Sequence, residues 1–86
     1  MLNIEVLTSP NCTYCPMAVK AMEIVAPKFE GKMHWRELST GTPEGMQKAL
    51  MLGVQGVPTI VIDNEVVFVG APGIEALEKA IEQRLK

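Results

Sequence analysis

The nine residues SPNCTYCPM, Ser9 to Met17, contain both cysteines of the chain, Cys12 and Cys15, followed at once by Pro16. Upstream, NIEVLT, Asn3 to Thr8, alternates polar and apolar at its start and is β-branched, which predicts a strand ending at the turn signals Ser9 and Pro10. Downstream, from about Cys12 to Phe29, Ala18, Val19, Met22, Val25 and Ala26 recur at helical spacing, and Pro27 marks a frayed end. The stretch is thus a strand-to-helix junction with a cysteine pair at the start of the helix.

Beyond it, KMHWREL, Lys32 to Leu38, reads as a second short strand, followed by the loop STGTP. There Thr42 is placed to cap a helix with Pro43 at its first position, and that helix stops at Gly53. VPTIVIDNEVVFVG, Val57 to Gly70, is a hairpin whose joining residues, Asp63 and Asn64, tolerate positive φ. From Gly73 to Lys86 an amphipathic helix places Ile74, Leu77, Ile81 and Leu85 on one face, with Glu75/Lys79 and Glu82/Lys86 spaced as ion pairs on the other. The order β-α-β-α-β-β-α predicts two βαβ-type crossovers feeding an antiparallel hairpin. The fold class is α/β, a four-stranded mixed sheet with helices on both faces, in a single domain over residues 1–86.

The chain's 86 residues, 48% hydrophobic and 21% charged, are enough to bury roughly 60 to 65% of the unfolded surface without staples. Eight basic and ten acidic residues give a net charge of −2 with no basic cluster, which argues against a nucleic-acid partner. Met1 leads directly into the first strand with no signal-peptide pattern, and no apolar run approaches membrane-spanning length, so the expected location is cytosolic, away from membranes. In that compartment a close cysteine pair is more often catalytic, redox-sensing or metal-binding than structural.

At a helix start, residues three apart have Cβ atoms about 5 to 6 Å apart, and a disulfide needs about 3.5 to 4.5 Å, so a modest adjustment closes the bond. On a helical wheel Cys15 shares the uncharged stripe of Ala18, Val19, Met22 and Ala26 and should point inward. Cys12, about 60° away toward Lys20 and Glu23, should be the accessible sulfur. A helix terminus contributes about 0.3 to 1 kcal/mol, less than the ~1.36 kcal/mol of one pKa unit, so Cys12 should be only moderately acidic. Pro16 lacks an N–H, leaves the Cys12 carbonyl without a regular helical bond, and starts the regular ladder after the motif.

With CTYC at the start of the first long helix and GVPT, Gly56 to Thr59, opening a strand, the chain resembles the thioredoxin/glutaredoxin superfamily, particularly its small archaeal thioredoxin-like and glutaredoxin-like members. The likeness covers nearly the whole chain. It implies the thioredoxin fold, a cis peptide bond before Pro58, and a role for Val57 in offering backbone N–H and C=O groups to an extended substrate. Asn11 stands where thioredoxins usually carry Trp, and Val6 where they carry a buried Asp, leaving Glu5 or water to exchange the Cys15 proton. Thr13 replaces the glutaredoxin Pro, and VGAPGIE replaces the segment that holds the glutathione carboxylate, whereas Tyr14 matches the glutaredoxin pattern.

The resemblance implies a thiol–disulfide oxidoreductase and electron carrier for cell redox homeostasis, more a protein disulfide reductase than a glutathione-linked enzyme. Cys12 is the nucleophile, Cys15 the resolving thiol, and Thr13, Tyr14 and Pro16 tune the potential. Tyr14, Gly56, Val57, Pro58 and the Gly70-Ala71 turn form the substrate rim. The expected protein is a monomer whose redox-active disulfide needs no cofactor, only disulfide-containing protein substrates and an external reductase or low-molecular-weight thiol. The alternatives are a glutaredoxin-type activity or a zinc or iron–sulfur site shared between two subunits, since two cysteines and a distant His34 cannot fill four coordination positions in one chain. His34, Trp35 and the six methionines read as surface or packing residues.

Overall fold

A computed structural model describes residues 1–86. Its strands are β1 (Leu2–Thr8), β2 (Met33–Ser39), β3 (Thr59–Ile62) and β4 (Glu65–Val69), and its helices α1 (Cys15–Val25), α2 (Pro43–Leu52) and α3 (Ile74–Arg84). One 3-10 turn, Ala26–Phe29, extends α1 through Pro27, so the long helical stretch expected to reach Phe29 changes its winding at Ala26. The strands form one mixed sheet in the order β2-β1-β3-β4. β2 pairs parallel with β1, whereas β3 pairs antiparallel with β1 and β4 antiparallel with β3. This is the four-stranded mixed sheet expected from the order of elements, and the thioredoxin fold that the resemblance implies.

One expectation about connectivity is corrected. Only β1-α1-β2 is a parallel crossover; the second connection, through α2, delivers β3 antiparallel, with Thr59 opposite Leu7 at the end of β1. The reason lies between the elements. Gly53 takes a left-handed conformation (φ 69°) that closes α2, and Val54 to Val57 then border one cleft with Thr40, Met46 and Ala49. The chain therefore doubles back along α2, and six extended residues easily retrace the ~15 Å rise of a ten-residue helix.

The local chemistry of α2 is as the sequence implies. Thr42 accepts a hydrogen bond from the Gly45 N–H at 3.1 Å, and Pro43 fills the first helical position. Asp63 and Asn64 turn the β3–β4 hairpin with φ of 48° and 65°.

The sheet separates two apolar layers. Ile4, Val6, Ile60 and Ile62 meet Ala18, Met22 and Val25 of α1 and Leu77 and Ile81 of α3 on one side. On the other, Leu7, Leu38 and Val61 meet Ala49 of α2. Covered on both faces, β1 is buried at every residue except Asn3.

On α3 only Leu77 and Ile81 of the expected stripe enter the core; Ile74 and Leu85, at or beyond the helix ends, are exposed. Its charges also pair differently. Glu78 bonds Lys28 at 2.7 Å, and Arg84 bonds Glu65, in place of the expected pairs four apart along the helix. Lys86 lies past the last helical residue, and exposed pairs along a helix contribute only about 0.3 to 0.5 kcal/mol, too little to hold them against such alternatives.

Candidate active site

The loop Ser9–Tyr14 leaves the end of β1 and enters α1. The Cys12 N–H donates to the Ser9 carbonyl at 3.3 Å, closing a turn before the helix. Helical structure begins at Cys15, three residues later than the expected start near Cys12, because Pro16 offers no N–H to the Cys12 carbonyl. The first intrahelical acceptor is therefore Tyr14, whose carbonyl takes the Ala18 N–H at 3.3 Å.

Cys12 thus lies in the approach turn, outside the helix on which the wheel placed it, and Cys15 is the first helical residue. The two are joined as a disulfide with Cα atoms 5.4 Å apart. Cys15 is 4% exposed, and Cys12 is half-buried. Cys15 faces the core beside the α1 stripe, while the motif residues Thr13, Tyr14 and Pro16 are all exposed, Tyr14 at 62%.

The second half of the site comes from the start of β3. The β1–β3 register brings Pro58 level with Thr8, the residue from which the cysteine loop departs. The Val57–Pro58 peptide bond is cis. Thr59 Oγ1 donates to the Gly56 carbonyl at 2.6 Å, and the Gly70 N–H donates to the Pro58 carbonyl at 2.7 Å. These bonds tie Gly56, Pro58 and Gly70 into one loop cluster. Val57 lies between them outside any strand, and neither its N–H nor its C=O has a partner within the chain.

Ala71, next to Gly70, reaches back to the cysteine motif. With Pro72, Gly73 and Ile74 it forms one wall of a shallow apolar groove whose other wall is Pro16, Met17, Ala21 and Ile24. Lys20 is the only charged residue along it. The exposure of Met17, Ile24 and Ile74 is the part of the site that residue-by-residue reading misses. For Met17 and Ile24 the signal is an apolar residue on the face of α1 opposite its buried stripe, whereas Ile74 shares the stripe of Leu77 and Ile81 and is exposed because it stands at the first residue of α3.

The carboxylate suggested for the Cys15 proton is corrected by the structure. Glu5 alternates with Ile4 and Val6 along β1 and so faces α2, across the sheet from Cys15. There Arg36 and Lys48 bond it at 2.8 Å and 3.0 Å. Burial by itself would raise the Glu5 carboxyl, but hydrogen bonds from Arg36 and Lys48, together with their charges, outweigh it and hold the carboxyl below its ordinary value. Val6 is fully buried in the core, so β1 presents no carboxylate to the cysteines.

No three His, Cys, Asp or Glu side chains converge as a ligand set. His34 is exposed on β2, and Trp35 packs against the larger core. No helix is long and apolar enough to cross a membrane.

A cysteine pair that closes a disulfide between a strand end and a helix start, beside a cis-proline loop, defines a dithiol–disulfide redox protein. Comparison with known proteins agrees. The family model for the Thioredoxin domain matches residues 2–82. A thioredoxin of Methanocaldococcus jannaschii is 42% identical over 84 residues, covering 98% of this chain and 96% of that protein. A probable thioredoxin of Methanothermobacter thermautotrophicus is 37% identical over 86 residues, covering 100% and 99%, and one of Archaeoglobus fulgidus 37% over 83 residues, covering 96% and 89%. The chain belongs to the thioredoxin family, and its activity is thiol–disulfide oxidoreduction.

Proposed function

We propose that the protein reduces disulfides of protein substrates, with Cys12 as nucleophile and Cys15 as resolving thiol. The observation that carries this reading is the asymmetry of the pair, a half-buried Cys12 in a turn and a buried Cys15 on the helix. The Cys12 thiolate attacks one sulfur of the substrate disulfide. The substrate's bond breaks, its other sulfur leaves as thiolate and takes a proton from solvent, and a mixed disulfide remains on Cys12. Cys15, deprotonated, then attacks the Cys12 sulfur and displaces the second substrate thiolate. Two electrons pass to the substrate, and the Cys12–Cys15 disulfide is left for an external reductase or a low-molecular-weight thiol to reduce.

The unpaired N–H and C=O of Val57 support an extended protein segment as substrate, since backbone groups on a strand-like loop pair naturally with another strand. Gly56, Pro58 and Gly70 hold that loop, and on this reading Tyr14 and Ala71, both exposed, complete the substrate rim. The groove along Met17, Ile24 and Ile74 suits apolar side chains better than glutathione, whose two carboxylates would meet Lys20 as the sole charged group there. Thr13, Tyr14 and Pro16 set the potential through their place in and beside the ring that the two cysteines close. On this reading the protein works as a monomer in the cytosol and needs no cofactor; that all of these residues belong to one chain supports the monomer.

The choice of substrate is tested by comparing kcat/KM for insulin disulfide reduction with that for a glutathione-mixed disulfide of a small thiol. A preference for insulin is expected. A clear preference for the glutathione adduct would assign the protein to the glutaredoxin-type activity instead.

A further inference from the structure

We propose that Glu37, on the edge strand β2, exchanges the proton of Cys15 during resolution, acting through water in the cleft beside the disulfide. This rests on the roles proposed above for Cys12 and Cys15. Because Cys15 is buried, its thiolate is disfavoured by desolvation, and attack on Cys12 requires a group that removes the proton as the sulfur moves. β1 supplies none, as Val6 is apolar and Glu5 faces the other side of the sheet.

β2 does supply one. Glu37 stands opposite Val6 in the parallel ladder and so projects from the face that carries α1. With Thr8, Lys20 and Glu23 it borders the same cleft as Cys12 and Cys15. The cleft measures about 480 Å³, far more than the ~30 Å³ of one water, so water can connect the carboxylate to the sulfur.

Glu37 is also held in place. Thr8, 2% exposed at the end of β1, donates its hydroxyl to Glu37 Oε2 at 3.0 Å. Oε1 has no partner in the chain and is free to receive a proton. The other ionisable groups around the cleft are Lys20 and Glu23, both on α1 and neither hydrogen-bonded. A lysine ammonium cannot accept a proton, and Glu23 has no tether to fix it near the sulfur.

In the resolving step the Cys15 S–H proton passes through water to Glu37, and the resulting thiolate attacks Cys12. The bond between Cys12 and the substrate sulfur breaks, and the departing substrate thiolate takes a proton from Glu37 or solvent. Electrons and protons balance with no further reactant. Glu37 is a positioning and proton-exchange residue, acting on the sulfur through water.

The test is stopped-flow reaction of the reduced protein with excess 5,5′-dithiobis(2-nitrobenzoate) at pH 7. The first release of thionitrobenzoate reports attack by Cys12 and the second reports resolution by Cys15. Glu37→Gln should slow the second phase about 10²-fold, the low end for acid–base assistance, and leave the first within about twofold. Glu37→Asp should recover most of the rate, and Thr8→Val, which removes the tether, should slow the same phase to a lesser degree. The proposal fails if Glu37→Gln resolves at the wild-type rate, or if Glu23→Gln is equally slow. The underlying assignment of roles is read separately. Cys15→Ser should keep the first phase and lose the second, and a fast first phase in Cys12→Ser would overturn the roles whatever Glu37 does.

Discussion

Replacing Glu5 by glutamine tests how a charged residue is accommodated in the central strand, and whether it is separate from the redox chemistry. Glu5 is 8% exposed and bonded by Arg36 and Lys48, while Arg36 also reaches Glu44 at 2.8 Å and Lys48 reaches Asn64. Breaking a fully buried ion pair costs about 3 to 5 kcal/mol, and an exposed pair contributes about 0.2 to 1 kcal/mol. This network lies between those limits. The carboxylate is buried, but both cations reach solvent and keep a second partner, so the loss should be about 1 to 2 kcal/mol at pH 7. At about 4 to 8 °C per kcal/mol for a domain of this size, Tm should fall by roughly 4 to 16 °C.

The pH dependence follows from the lowered Glu5 carboxyl. A carboxyl whose value in the folded state lies below its ordinary 4.5 stabilises the fold fully above that pH, and the contribution is lost as pH falls through the lower folded value. Denaturant or thermal unfolding of both proteins from pH 7 to pH 2 should therefore show a gap that is constant near neutrality and closes in acid. A gap undiminished at pH 2 would mean that the loss comes from packing, and no gap at pH 7 would mean that the network contributes nothing. Disulfide reduction by the variant should proceed at the wild-type rate, since Glu5 and the cysteines lie on opposite faces of the sheet.

Two further substitutions probe the frame and the rim. A Cβ on Gly45 would fall 1.8 Å from the Ser39 carbonyl oxygen, so Gly45→Ala must push α2 off the end of β2. It should destabilise by about 2 kcal/mol or more by calorimetry, despite the ~1 kcal/mol gain in helix propensity, and a raised Tm would contradict the close approach. Met17 and Ile74 are exposed walls of the apolar groove, and covering each should contribute about 1 kcal/mol to docking of a protein substrate. Met17→Ser with Ile74→Ser should raise KM for insulin about thirtyfold and leave the rate with a small aromatic disulfide unchanged; equal effects on both substrates would remove the groove from substrate binding.

The parts of this fold that the sequence makes legible are those decided by neighbours along the chain. Thr42, Pro43 and Gly53 mark both ends of α2 because capping, a fixed φ and a left-handed terminus are local properties. Asp63 and Asn64 mark the hairpin turn for the same reason. The direction of β3 is not local. It depends on Val54 to Val57 folding back along α2, and nothing in those four residues encodes the sense in which they return.

The site divides in the same way. The cysteines and the proline loop are recognisable as motifs, and the inward stripe of α1 correctly places Cys15 in the core even though the helix begins later than its periodicity implies. Which carboxylate faces the cysteines depends on strand register. Glu5 lies seven residues before Cys12 yet faces away, whereas Glu37, distant in sequence, comes to the disulfide because β2 pairs in parallel with β1 and sets Glu37 opposite Val6. Period-two alternation assigns faces within a strand, but the partner strand and its alignment appear only in the folded chain.

The division of labour between the two sulfurs is the central claim, and trapping tests it most directly. Reduced Cys15→Ser and Cys12→Ser proteins are each mixed with an oxidised protein substrate, quenched with acid, and analysed by mass spectrometry and non-reducing electrophoresis. Cys15→Ser should accumulate a stable mixed disulfide through Cys12, while Cys12→Ser, left with only the buried Cys15, should stay unmodified. Adduct formation by Cys12→Ser, with Cys15→Ser remaining free, would contradict the account.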